Sequence, residues 1–129
     1  MKLCNCSSGI SFKNCCQPYI SGRSKPRTAL ALMRSRFTAF ANKKTVYIKK
    51  TVKPPAADMF IDLDLSLDDK IWVKLKIIDT LDGGISDNYG EVEFKAYYKL
   101  ADSSSEIFCM HERSVFKKIS GSWYYIDIV

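Results

Sequence analysis

The chain has 129 residues, 47% of them hydrophobic and 26% charged, which is the balance of one folded domain and excludes a disordered polyelectrolyte. No run approaches the roughly 18 apolar residues of a membrane-crossing helix, and Met1-Lys2-Leu3 leads straight into cysteines without the apolar stretch of a secretory signal, so the cytoplasm, where thiols stay reduced, is the expected compartment. The net charge of +6 is uneven: residues 1–53 hold twelve Lys or Arg and no acid, while residues 54–129 hold eight bases and all fourteen acids, which points to an anionic partner for the first part or to docking of one part on the other.

Four of the five cysteines, Cys4, Cys6, Cys15 and Cys16, form the pattern C-x-C-x8-C-C at the amino end. Cys15 and Cys16 are adjacent, so their Cα atoms stand about 3.8 Å apart, under the ~4.4 Å lower limit for a disulfide. A catalytic thiol requires one activated cysteine, not four. Four thiolates at tetrahedral reach suit Zn²⁺, bound at about 2.3 Å per sulfur. With sulfur at every ligand place no position remains for a water, so the expected zinc is structural and not hydrolytic. Ser7, Ser8 and Gly9 allow a tight turn around the sulfurs, Phe12 offers an apolar lid, and Lys2 and Lys13 offset the negative charge of the site. The stretch CNCSSGISFKNCCQPYISG resembles the SEC-C zinc motif, whose usual form is C-P-C-G-S-G with a C-C or C-H end. Asn5 stands at the place of its proline and Ser7 at that of its first glycine.

Residues Gln17 to Arg27 read as a connector punctuated by Pro18, Gly22 and Pro26. A helix is expected from Thr28, its N-cap, with Leu30, Met33, Phe37 and Phe40 as one core-facing stripe. Asn42 suits a left-handed C′ position and Lys43 and Lys44 complement the helix dipole. TVYIKKT reads as a second short helix stopped by Pro54-Pro55. The segment LMRSRFTAF, with C-x-C-x8-C-C-x-P-Y before it and HERSVF and GSWYYID after it, is similar to the YchJ family across nearly the whole chain. That resemblance implies a SEC-C motif in residues 1–22 joined to a cone-shaped domain like nuclear transport factor 2 in residues 23–129. It implies no settled activity. Where the family carries Trp-His-Pro this chain has Val52-Lys53-Pro54, so no role for that Trp or His carries over.

In the second half, Ile71 to Ile78 reads as a strand and LDGGISDNYG as a hairpin connection, not a phosphate loop, because G-x-x-x-x-G-K-[ST] is absent. EVEFKAYYKL alternates, with Val92, Phe94, Ala96, Tyr98 and Leu100 on one face. Asp102 to Ser105 is a turn, Glu106 to Ile119 a long strand with room for a bulge, and Ser120-Gly121 the turn into SWYYIDIV. Cys109 is expected as a buried apolar residue. An antiparallel meander packed on the Thr28–Asn42 helix gives an α+β fold.

Beyond the four cysteines, the candidate ligand or partner contacts are Arg34 and Arg36, which flank the helix stripe, and His111 and Asp127 in the sheet. Arg34 and Arg36 can hold an anion or dock the zinc loop. His111 is the single histidine, and on a strand it and Glu112 point to opposite faces, so no catalytic array assembles around it. The function expected first is a zinc-stabilised module that contacts protein or the ribosome, as the SEC-C tail of the preprotein translocase ATPase contacts a chaperone and the ribosome. Nucleic-acid binding through the basic first part, and a small-molecule or enzymatic pocket in the cone, are the alternatives. No membrane partner is expected.

Overall fold

The computed structural model describes residues 2–102 and 105–129. Helices come first and strands second. After a 3-10 turn at Phe12–Asn14 the chain forms α1 (Gln17–Ile20), α2 (Ala29–Ala41) and α3 (Thr45–Lys50), two further 3-10 segments at Ala56–Phe60 and Leu65–Leu67, and then β1 (Lys70–Asp82), β2 (Tyr89–Leu100), β3 (Phe108–Ile119) and β4 (Ser122–Ile128). The strands make one antiparallel sheet in the order β1-β2-β3-β4. The architecture is the expected α+β one, a curved meander with helices across one face. The expected turn over Asp102 to Ser105 includes residues 103–104, which lie outside the described residues.

α2 is the axis of the molecule. Thr28 caps it, its Oγ1 accepting from Ala31 N at 3.0 Å, and the Ala29 N–H is taken by the Gly83 carbonyl at 2.9 Å. Its expected single stripe is an incomplete description. Met33 and Phe37 are buried against the sheet, but Leu32, Ser35, Arg36, Thr38 and Ala39 are buried as well, while Leu30 and Phe40 are only half-buried. The reason is that α2 is covered on both sides. One side packs with Leu75, Val92, Phe94, Phe116 and Trp123 of the sheet, and the other meets Tyr47 and Ile48 of α3 and Leu65 beyond it. Polar side chains on the second side are satisfied locally: Ser35 Oγ lies 2.8 Å from Leu32 O and 2.7 Å from Tyr47 Oη.

Other boundaries depart from expectation for identifiable reasons. The connector begins with a helical turn, because Cys16 and Pro18 start α1. The left-handed residue after α2 is Lys43, φ 58°, and not Asn42, φ −101°. β1 outruns the expected strand at both ends and carries register irregularities between Trp72 and Lys74 and between Ile77 and Asp79. The bulge expected within Glu106–Ile119 falls instead opposite Val115 and Phe116, where β4 contributes the extra residue Ile126. Cys109 is exposed, not buried, on the outer face of the sheet's end.

Each edge of the sheet is met by another segment, the β4 edge along three residues and the β1 edge at one point. Thr51–Lys53 lies along β4, with a parallel bridge of Val52 to Tyr125 and hydrogen bonds from Tyr125 N to Thr51 O and from Lys53 N to Tyr125 O at 2.9 and 3.0 Å. At β1, the Leu75 N–H is taken by Ser7 Oγ of the amino-terminal loop at 3.1 Å.

Gly83 and Gly90 face one another beneath the start of α2. A Cβ on Gly90 would stand 2.5 Å from Gly83 Cα and 3.1 Å from Ala29 Cβ. Gly90→Ala is therefore expected to cost roughly 1–3 kcal/mol in urea unfolding, as overpacking does. Gly84→Ala, whose added atom meets only the Asp87 carboxylate at 3.4 Å, should stay within about 0.5 kcal/mol of the parent.

Candidate metal centre

The amino-terminal segment folds back on itself as a small loop. Leu3 and Ser11 pair as an antiparallel bridge, Cys4 N donates to Ile10 O at 2.9 Å, and Phe12 N donates to Lys2 O at 3.0 Å. Between them Ser7 and Gly9 adopt left-handed backbone angles, φ 66° and 81°. Glycine adopts such angles at least cost, which accounts for the glycine that the SEC-C motif has where this chain has Ser7. The serine side chain gives something in return, the bond to Leu75 N that ties the loop to β1. Beyond the loop, the Phe12–Asn14 turn delivers Cys15, and Cys16 is the N-cap residue of α1.

The four sulfurs converge. All lie within 4.8 Å of one another, with Cys6 Sγ to Cys15 Sγ at 3.6 Å and Cys15 Sγ to Cys16 Sγ at 3.9 Å. Four sulfurs placed tetrahedrally at about 2.3 Å from a central ion are about 3.8 Å apart. The separations therefore fit a tetrahedral thiolate site, and no pair is joined by a disulfide. Cys4, Cys6 and Cys16 are buried and Cys15 half-buried.

The surroundings suit sulfur that carries charge. Thr38 Oγ1, from α2, is 3.4 Å from Cys4 Sγ. Ser8 Oγ accepts from Ile10 N and lies 3.2 Å from Cys15 Sγ, leaving its own hydrogen to donate to that sulfur. Arg34 Nη1 donates to the Cys6 carbonyl at 2.7 Å. Bonds from the Cys16 and Cys6 thiols hold Cys4 far below the usual thiol range. Burial pushes Cys15 up to about 11, and the bonds to Cys4 and Cys6 push Cys16 up strongly. Without a cation the cluster thus favours the thiolate at Cys4 and the proton at Cys15 and Cys16. A divalent ion reverses that, because it favours the thiolate at every ligand.

The other candidate residues fall in different places. Arg34 docks the loop, as described. Arg36 is 4% exposed, and its Nη1 donates to Ile48 O at 2.9 Å and to Thr51 Oγ1 at 2.7 Å. Its guanidinium lies over the rings of Tyr125, Phe60 and Phe40, 5.0, 5.4 and 6.0 Å from their centroids. Burial lowers its pKa to about 10. It borders a cavity of about 230 Å³ between α2 and the sheet, walled mainly by Met33, Phe37, Phe94 and Phe116, with Glu112 and Tyr125 completing the polar wall. Glu112 Oε2 accepts from Ser114 Oγ at 2.5 Å and from Tyr125 Oη at 3.1 Å.

His111 and Asp127 lie away from this wall. His111 is on the outer face of β3, its Nε2 2.6 Å from Glu93 Oε2, in a charge lattice where Arg113 binds Glu91, Asp79 and Glu93. Asp127 would share the inner face with Trp123 and Tyr125 on a regular strand, but the extra residue Ile126 turns it to solvent, and its Oδ1 accepts from Ile128 N at 2.8 Å. The residues that sequence reasoning left out are Thr38, Ser8 as a hydroxyl partner, Thr51 and Tyr125. Thr38 is four positions from Arg34 and so shares its helix face, but nothing in its local pattern marks a sulfur contact.

A small α+β domain that carries a four-cysteine loop is what the fold and site define, and comparison with known proteins agrees. The model of the YchJ middle domain, like nuclear transport factor 2, matches residues 28–128. A UPF0225 protein of Corynebacterium glutamicum is 39% identical over 125 residues, covering 96% of this chain and 94% of that protein. A UPF0225 protein of Photorhabdus laumondii is 38% identical over 128 residues, covering 98% and 79%. The chain belongs to the YchJ family. Among solved structures it is similar to a SEC-C motif containing protein from Rhodopseudomonas palustris, with a TM-score of 0.81 at 29% identity and coverage of 98% of this chain and 96% of that one. It is also similar to a SEC-C motif containing protein from Psychrobacter arcticus, with a TM-score of 0.73 at 33% identity and coverage of 94% and 73%.

Two outcomes follow for the metal. Cys15→Ser or Cys16→Ser should strip most bound metal from the purified protein, whereas Cys109→Ser should leave metal content unchanged, as read by elemental analysis. Because the metal-free Cys15 thiol keeps its proton up to about 11, metal binding at neutral pH must expel that proton. Affinity should therefore fall as pH is lowered from 8 toward 5 and rise again on return. A chelator-competition titration across that range measures it.

Proposed function

We propose that this chain is an interaction module whose amino-terminal loop is clasped by a structural zinc ion held by Cys4, Cys6, Cys15 and Cys16, and that its partner is a protein or the ribosome in the cytoplasm. The observation that carries the reading is the closed set of four sulfurs within 4.8 Å, three of them buried, with no place left for a reacting water. Zinc is the preferred ion because it takes four thiolates tetrahedrally with no redox chemistry. Iron is the other metal that suits such a site.

Two features support contact over catalysis. Leu3 and Ile10 of the clasped loop are exposed, so the metal shapes a small apolar surface rather than a reaction site. In the cavity, Glu112 and Arg36 are already engaged by Ser114, Tyr125, Ile48 and Thr51. No helix among the described residues is long and apolar enough to cross a membrane.

The division at residue 22 is proposed as a division of roles. Residues 1–22 form the clasp, and residues 23–129 form the domain that presents it. The two share one core, since Cys4, Cys6 and Cys16 pack with Leu32, Met33 and Phe37.

The test is affinity capture from native lysate, with metal analysis of the same sample. The full-length chain should hold close to one zinc and retain a discrete protein or ribosomal partner, and the Cys15→Ser/Cys16→Ser chain should lose both. Iron in the analysis would replace the proposed ion. Capture of the same partner by the metal-free variant would overturn the role of the clasp.

A further inference from the structure

Two surface grooves, and between them a narrower cleft that shares lining residues with each, lie on the side formed by α1, the connector before α2, α3 and the start of β4. The first groove, of about 510 Å³, is walled by Lys25, Arg27, Lys118 and Trp123. The cleft, of about 190 Å³, shares Ser24, Lys25, Pro26 and Trp123 with it and continues to Tyr47 and Lys50. The second groove, of about 360 Å³, shares Tyr47 and Lys50 and ends at Lys43 and Lys44. Six cations line this run and no Asp or Glu does.

Lys25, Arg27, Lys43, Lys44 and Lys50 are exposed, and of these Lys43 also donates its ammonium to Leu65 O and Asp68 O at 3.1 and 2.8 Å. Lys118 is held over Trp123 at 5.7 Å and donates to Ile85 O at 2.7 Å. Several acids are engaged elsewhere. Asp68, Asp79, Glu91 and Glu93 pair with Lys70, Arg113 and His111 in the sheet half. Asp87, close to Ile85 in the chain, is turned back onto the Gly84 N–H at 2.9 Å. Of the two explanations for the uneven charge, docking of the basic part on the acidic part is therefore not what these ion pairs show.

We propose that this run of grooves is a track for single-stranded RNA. A row of cations with no interleaved acid follows a phosphate backbone, where binding releases counterions. Successive narrow depressions joined end to end accommodate one strand, whereas a duplex presents two backbones to a broader face. Ser24 and Ser122 add hydroxyls along the walls, suited to the 2′-hydroxyl that separates RNA from DNA. None of the four cysteines lines the track, although Tyr19, Ile20 and Gly22, just beyond Cys16, border it.

Fluorescence anisotropy with labelled oligouridine of about twelve nucleotides, within the span of small single-strand binders, tests it on the full-length protein over a series of KCl concentrations. Binding should weaken with salt at a log–log slope of about −3, as for about four or five phosphate contacts. Lys25→Glu/Lys50→Glu should weaken binding at least tenfold. Lys76→Glu/Lys99→Glu, an equal charge change on exposed positions of β1 and β2, should weaken it no more than threefold. Lys25→Gln/Lys50→Gln, with far-UV circular dichroism on every variant, separates lost contacts from misfolding and should show an intermediate loss.

Equal losses for both glutamate pairs, or no saturable binding at low salt, would overturn the track. Oligodeoxyuridine binding as tightly as oligouridine would overturn the assignment to RNA, and poly-glutamate binding more tightly than either would reassign the surface to an acidic polypeptide. The Lys25→Glu/Lys50→Glu protein should keep its metal. Failure here thus leaves the clasp standing.

Discussion

The structure depends on sulfur packed against a helix. Cys4, Cys6 and Cys16 belong to the same buried cluster as Leu32, Met33 and Phe37 of α2, so the loop is part of the core and not a tag beside it. Three polar bonds from two elements, α2 and β1, set its position: Thr38 to Cys4 Sγ, Arg34 to the Cys6 carbonyl, and Ser7 to the Leu75 N–H. Four sulfurs this close, three of them buried, cannot all ionise alone. A divalent cation makes the tetrathiolate affordable, and binding it is then equivalent to folding the loop. The net negative charge that remains on such a site is met by an Arg34 guanidinium anchored one backbone group away.

This explains the unusual character of α2. A helix buried on one face carries one apolar stripe. Here one side meets the sheet while the other meets α3 and the loop, and the second side is built from Ser35, Thr38 and Arg36, each bonded within the core. The buried Arg36 is stabilised by a carbonyl, a hydroxyl and three aromatic rings, and so braces α2 against α3 and β4.

Much of this was legible in the chain. The four-cysteine spacing marked the site because adjacent cysteines suit few alternatives. The alternation of β2 from Val92 to Ala96 and the Ser120-Gly121 turn marked the meander, and Thr28 marked the start of α2. What escaped had physical causes. Buried serine, threonine and arginine look like a solvent face until their partners, at Tyr47, Thr51 and Ile48, are brought across by the fold. A single bulge residue, Ile126, reverses Asp127 in a way that period-two counting cannot anticipate. Cys109 lies in a strand pattern, yet none of the described residues covers the sheet's outer face there. The uneven charge was visible at once, but only the grooves show which of the twelve cations gather on one side.

The measurement closest to the central claim is X-ray absorption spectroscopy at the metal edge of freshly purified, unoxidised protein. A first shell of four sulfurs at about 2.3 Å, with no nitrogen or oxygen, is the expected result. A shell containing nitrogen, oxygen or water, or protein in which these four cysteines are paired as disulfides, would contradict a closed thiolate clasp beneath α2.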